Sequence, residues 1–277
     1  MSTVNRENRS GPVRKGYVDT SGGQIHYRTV RPAQESAPPL VLLHQTASAS
    51  AMYEGLLGAL TGRWLLALDT PGFGGSFTPE QPLTISYCAA MLAEALASLG
   101  ITECDVFGHH TGAALAVQLA HAQLGLVRRL VLSGPPLLNP EQVAALKASL
   151  RPFTLAPDGS HLTAIWARLR GRDPDLPLAV VHRETLLTAA AGEQAQQAYQ
   201  AVFTQDFAGQ LQALTQPVLM LAGEYDTLRA SLEPALALLR NGQGRVLPAA
   251  TTYVCDREPA RLAGIIAEFL AAASDQT

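Results

Sequence analysis

The sequence predicts an α/β protein: a mostly parallel eight-stranded sheet flanked by helices, with a helical lid inserted late in the order. Three observations carry that reading. Short, continuous apolar runs alternate with segments of helical spacing, the pattern of strands buried on both faces and joined by crossover helices. The alternation lapses between 139 and 215, where helix-like pieces occur without a strand. It then resumes as strand, helix, strand and helix.

Taken in order, residues 1–13 are polar and basic and are expected to form a flexible tail. GYVDTSGGQIHYRTV reads as a hairpin, two β-prone runs around Ser21-Gly22-Gly23, a turn that tolerates positive φ. PPLVLLHQT is a buried strand, SAMYEGLLGALTG a helix stopped by glycine, and WLLALDTPGFGGS a strand running into a glycine-rich loop. TISYCAAMLAEALASLG is a helix capped by Thr84 and stopped at Gly100. ECDVFG, TGAALAVQLAHAQ and RRLVLSGPP continue as strand, helix and strand. PEQVAALKASL, HLTAIWARLR and AGEQAQQAYQAVF supply helices to the lid at 139–215. PVLMLAGEYD, SLEPALALLR, GRVLPA and EPARLAGIIAEFLAAA complete a core made of 14–138 and 216–277.

Composition narrows the function classes. With 47% hydrophobic and 16% charged residues, the 277-residue chain can bury a large core. A net charge of −3 gives no basic footprint for nucleic acid. Cys88, Cys104 and Cys255 are too few and too scattered for a disulfide framework or a zinc site. The opening MSTVNRENRSGPVRK lacks the apolar core of a signal peptide, and no uninterrupted apolar run is long enough to span a membrane. The expectation is a cytoplasmic protein with a small-molecule substrate or ligand and without cofactor, metal or membrane. A homodimer is compatible with the sequence.

One five-residue stretch stands out. Gly108-His109-His110-Thr111-Gly112 lies between a strand and a helix, where G-x-S-x-G would present a nucleophilic serine on a sharp turn. With four further landmarks in order, the chain resembles the α/β-hydrolase fold family over roughly residues 14–272. His44 ends the third strand where the family has an H-G-x turn, and DTPGFGGS resembles the family's D-x-P-G-x-G-x-S loop. LAGEYD brings Asp226 to the family's catalytic acid position, and VLPAATTYVCDREP resembles the stretch that carries the catalytic histidine. Three positions depart from the pattern. The nucleophile position holds His110, the histidine position holds Thr252 (or Thr251, one residue earlier), and Gln45 replaces a glycine of the oxyanion turn.

These departures imply an altered catalytic triad. An imidazole at 110 supplies a base and removes the usual attacking atom, while it reaches farther than serine from the same Cβ. The expected arrangement is a His110–Asp226 dyad, joined directly or through Thr252 or water, with the other ring nitrogen facing the substrate. By resemblance, the N–H groups of Thr46 and Thr111 would hold an oxyanion. The set suits a lyase, isomerase, cofactor-free oxygenase or water-activating hydrolase better than a serine acyl-enzyme. The alternatives are a ligand-binding pseudoenzyme, and a hydrolase with a nucleophile relocated to Thr111. His44 and His109 belong to the pocket list with structural roles as the plainer reading, and Asp69 anchors its loop. Trp166 either touches ligand or packs the lid, and Cys255 is expected to be inert. A metal shared by His44, His109 and His110 is disfavoured, since adjacent histidines on a tight turn point apart and no carboxylate or cysteine is fixed nearby.

Overall fold

The computed structural model describes residues 11–150 and 153–272. The expected tail therefore lies outside the described residues as far as residue 10, as do 151–152 of the lid and 273–277 of the core.

Eight strands form one sheet: β1 (Arg14–Thr20), β2 (Gly23–Val30), β3 (Ala37–Leu43), β4 (Arg63–Leu68), β5 (Cys104–His109), β6 (Val127–Ser133), β7 (Val218–Tyr225) and β8 (Gly242–Thr251). Their order is β1-β2-β4-β3-β5-β6-β7-β8. Only β2 runs antiparallel to its neighbours; every pair from β4 to β8 is parallel. The continuous apolar runs have a direct cause in this layering. Val41, Leu43, Val106, Leu130 and Leu132 face a core shared with α2 (Ile85–Ser98) and α3 (Thr111–Ala122). Their chain neighbours Leu40, Leu42, Phe107 and Val131 face a second core shared with α1 (Glu54–Ala59) and α11 (Pro259–Ala272). Successive side chains on a strand point to opposite faces, so a strand covered on both sides has no polar alternation.

Thr84 caps α2 as expected, its hydroxyl accepting the Tyr87 N–H at 3.0 Å. The helix expected in SAMYEGLLGALTG divides into a 3-10 turn at Ser50–Tyr53 and the short α1. Between β6 and β7 come α4 (Pro140–Ser149), α5 (Ser160–Arg172), α6 (Leu178–Ala191), α7 (Glu193–Thr204) and α8 (Phe207–Ala213). No sequence signal marks α6 or α8, nor α10 (Val254–Arg257) after β8, and SLEPALALLR forms only a 3-10 turn and α9 (Leu232–Leu236). In α6 the reason is chemical. Its buried face carries Val181, Glu184 and Thr185 while Leu178 and Leu186 are exposed, which erases the apolar stripe.

Candidate active site

β5 and α3 meet at a turn that depends on its two glycines. A Cβ on Gly108 would strike the Gly112 carbonyl, and one on Gly112 would strike the Leu43 carbonyl oxygen. Between these glycines, His110 sits at φ 51° and ψ −111°. A non-glycine residue held there stores about 1–3 kcal/mol of strain. The surroundings fix it: its N–H donates to the Ser133 carbonyl at 2.8 Å, and its own carbonyl accepts Ala113 N–H at 2.8 Å.

The ring of His110 reaches Asp226, which follows β7. Nε2 lies 3.0 Å from both carboxylate oxygens, and the His110 side chain is 13% exposed. The pair is direct, with no bridge through Thr252. Asp226 also accepts the Leu228 N–H at 2.7 Å. Burial alone would push this carboxyl up. Its charge interaction and hydrogen bond with His110, the nearby His109 and the Leu228 N–H outweigh that and hold it at about 2. An ionised carboxylate can only accept, so Nε2 carries the hydrogen and Nδ1 is the nitrogen left for other work. No hydrogen bond to Nδ1 occurs among the described residues.

His109 points elsewhere. It is fully buried, and its Nε2 donates to the Thr252 carbonyl at 2.9 Å while Nδ1 has no partner. Burial, with His110 as neighbour at a ring separation of 4.4 Å, lowers its pKa to about 3. Thr252 thus contributes its carbonyl to His109, and its hydroxyl lies 3.5 Å from the Thr227 N–H. Thr251 binds Asp173 of the helical insertion at 3.0 Å. His44 donates from Nδ1 to the Gln45 carbonyl at 2.9 Å and accepts the Thr70 N–H on Nε2 at 3.0 Å. The three histidines therefore do not converge on one point.

On the other side of the turn, the hydroxyls of Thr46 and Thr111 bond to each other at 2.8 Å, and the Tyr199 hydroxyl of α7 lies 3.5 Å from the Thr46 carbonyl. Thr111 opens α3, and the first N–H groups of a helix have no carbonyl one turn back to bond. Gln45 is 8% exposed beside them. Thr111 Oγ1 has a hydroxyl for company, not an imidazole. Asp69 holds its loop together, accepting His26 Nδ1 at 2.7 Å, Ser50 N–H at 2.6 Å and Gly75 N–H at 2.8 Å. Trp166 packs in a small cluster with Ile165, Leu169, Val181 and Tyr253. Cys255 is fully buried, which pushes its thiol far up. A cavity of about 370 Å³ opens between Leu83, Phe153 and the Gln196–Gln200 face of α7, with none of the elbow residues in its lining.

Several contacts had no signal in the sequence. Glu184 of α6 is buried, accepts the Ser48 hydroxyl at 3.0 Å and pairs with Arg183. Arg183 forms a bidentate pair with Asp256 at 2.7 and 2.8 Å, and Arg257 reaches both oxygens of Asp173 at 2.8 and 2.9 Å. Apart from the adjacent Arg183–Glu184 pair, each joins residues more than seventy positions apart, so no local spacing announces it.

An alpha/beta hydrolase fold family model matches residues 38–231. A poly(3-hydroxyalkanoate) depolymerase of Ectopseudomonas oleovorans is 28% identical over 260 residues, covering 87% of this chain and 87% of its own. A pimeloyl-(acyl-carrier protein) methyl ester esterase of Aeromonas hydrophila is 37% identical over 84 residues, 30% of this chain and 32% of its own. Among solved structures, an E-2-(acetamidomethylene)succinate hydrolase superposes with a TM-score of 0.76 at 24% identity, covering 94% of this chain and all of that one.

Proposed function

This chain belongs to the α/β-hydrolase fold family, and from that premise we propose an enzyme that works on a small carbonyl compound by histidine acid/base chemistry, without an acyl-serine. The observation that carries the reading is the His110 ring at the nucleophile turn, with Nε2 3.0 Å from both oxygens of Asp226. Asp226 fixes the tautomer, as the acid of a triad does for its histidine. The lone pair is then on Nδ1, at the edge of the ring opposite the carboxylate. Nδ1 takes a proton from a bound water, or from carbon beside the carbonyl, and returns it to the product. The anion that forms is held by the N–H groups at the start of α3 and at Thr46. Water is the first candidate for the proton donor, because the relatives named above are hydrolases and esterases.

The test needs two reagents. Turnover is screened with small p-nitrophenyl esters and lactones, and the protein is treated with a fluorophosphonate. We expect His110→Ala to abolish turnover and the unmodified protein to stay unlabelled. Stoichiometric labelling of a serine would return the chain to ordinary acyl-enzyme chemistry. A ligand bound equally by both proteins, with no product from either, would make it a binding protein.

A further inference from the structure

We infer that Gly134 is a positioning residue for the His110–Asp226 pair: its missing side chain is the gap through which the imidazole reaches the carboxylate. The inference rests on the acid/base reading of that pair. Gly134 follows β6 directly, next to Ser133, whose carbonyl accepts the His110 N–H at 2.8 Å. Its own N–H donates to Leu221 of β7 at 2.8 Å. The backbone at 134 is therefore tied both to the turn that carries His110 and to the strand that delivers Asp226.

A Cβ added at 134 would land on His110 Cδ2, 2.5 Å from Nε2 and 3.3 Å from Asp226 Oδ2. Neither neighbour can retreat cheaply. The His110 backbone is locked at φ 51° by its bond to Ser133, and Asp226 is held by the Leu228 N–H. What can move is the ring, by rotating off the carboxylate. That would release the tautomer and return Nε2 to solvent or substrate. A side chain as short as serine at 110 would leave the space over 134 empty, so the steric demand at 134 comes from the ring.

Gly134 also has φ 60°, which favours glycine for reasons unrelated to the ring, so the experiment must separate the two. Gly134→Ala and Gly134→Asn are each made in the unmodified protein and in His110→Ala; asparagine accepts positive φ and so isolates the effect of an added Cβ. The readouts are the unfolding equilibrium in urea and the ¹⁵N imidazole spectrum of His110. With the ring present, we expect each substitution to shift the unfolding constant about tenfold more than in His110→Ala, the behaviour of residues in direct contact. The spectrum of Gly134→Asn should also lose the Nε2–H tautomer. Folding of a variant only where the ring is absent supports the same conclusion. Equal shifts in both backgrounds with the tautomer intact overturn it, and so does failure of both variants to fold in either background. Neither readout uses turnover, so an unmodified protein that turns over nothing sinks the acid/base reading and leaves the geometric result to stand or fall separately.

Discussion

His109 makes a quantitative demand on stability. The ring is fully buried, donates Nε2–H to the Thr252 carbonyl and keeps Nδ1 without a partner, so a proton added there would be a buried charge with no counterion in contact. Burial and the neighbouring His110 bring its pKa from the ordinary 6.5 down to about 3. Between those values the unfolded chain binds a proton that the folded one does not, so stability rises with pH through this window and falls as pH drops through it. Each unit is worth about 1.4 kcal/mol, and going from pH 7 to pH 4.5 should cost about 2.5 kcal/mol through this ring alone. That is a large fraction of the stability of an ordinary domain. His44, also lowered by burial, acts with the same sign, while Glu184, raised by burial, acts against it. Asp226 and Asp69, both held at about 2, contribute stability that is lost only as pH falls below 3.8, outside most of the window. The comparison is therefore made with His109→Gln, which removes the titration and keeps a donor for Thr252. Urea unfolding at constant ionic strength across pH 4.5–7 should give a shallower dependence for the variant, by about 1 kcal/mol per unit in the lower half of the range. Parallel curves would refute the assignment of a buried neutral imidazole at 109.

Three more outcomes follow from the same geometry. Asp226→Asn keeps the shape, removes the charge and turns one of the two acceptors facing Nε2 into a donor; turnover should fall about 10²–10⁴-fold with little change in KM, read from steady-state kinetics. Arg183→Met leaves Glu184 buried without its cation and Asp256 without its bidentate partner, and should cost about 3–5 kcal/mol in chemical denaturation. Cys88 and Cys104 are buried with thiols pushed up to about 12, and burial also pushes the Cys255 thiol well up, so none should react with a thiol reagent in the native protein and all three should react in denaturant.

What could be read before the structure divides along sequence distance. The turn at 108–112 was legible because strand, glycine, special residue, glycine and helix are contiguous, and Gly108 answers a backbone clash with Gly112 inside the motif, while Gly112 answers one with Leu43 of β3. Asp226 could be placed because a strand delivers it at a fixed point in the order of landmarks, and it meets His110 across 116 positions. By contrast, α6 was invisible: Glu184 and Thr185 occupy its buried face, and only Arg183, Ser48 and the Val181 carbonyl, as partners, make that burial affordable. The direction of the His109 ring was equally hidden, since its acceptor is the backbone carbonyl of Thr252, just after the edge strand β8 and 143 positions away. Backbone acceptors leave no mark in a side-chain pattern.

On the acid/base reading proposed above, the two unusual stretches form one rearrangement. In the family, by resemblance, the segment after β8 would bring an imidazole toward Asp226. Here the imidazole against the carboxylate comes from residue 110, with Nε2 3.0 Å from both oxygens. The segment after β8 makes other contacts. Thr251 and Arg257 bind Asp173, Asp256 binds Arg183, and Tyr253 packs among Ile165, Leu169 and Val181, so four of its seven residues hold the helical insertion. Thr252, between them, supplies the carbonyl that orients His109 beneath the His110 ring. Restoring a histidine at 252 would therefore not restore a triad: its ring would meet an Asp226 already taken on both oxygens. The reverse change is the informative one. His110→Ser alone frees the carboxylate but leaves no imidazole bridging it to the new hydroxyl, since His109 donates to the Thr252 carbonyl, so a hydroxyl placed at the turn should remain unreactive toward fluorophosphonate until position 252 is changed as well.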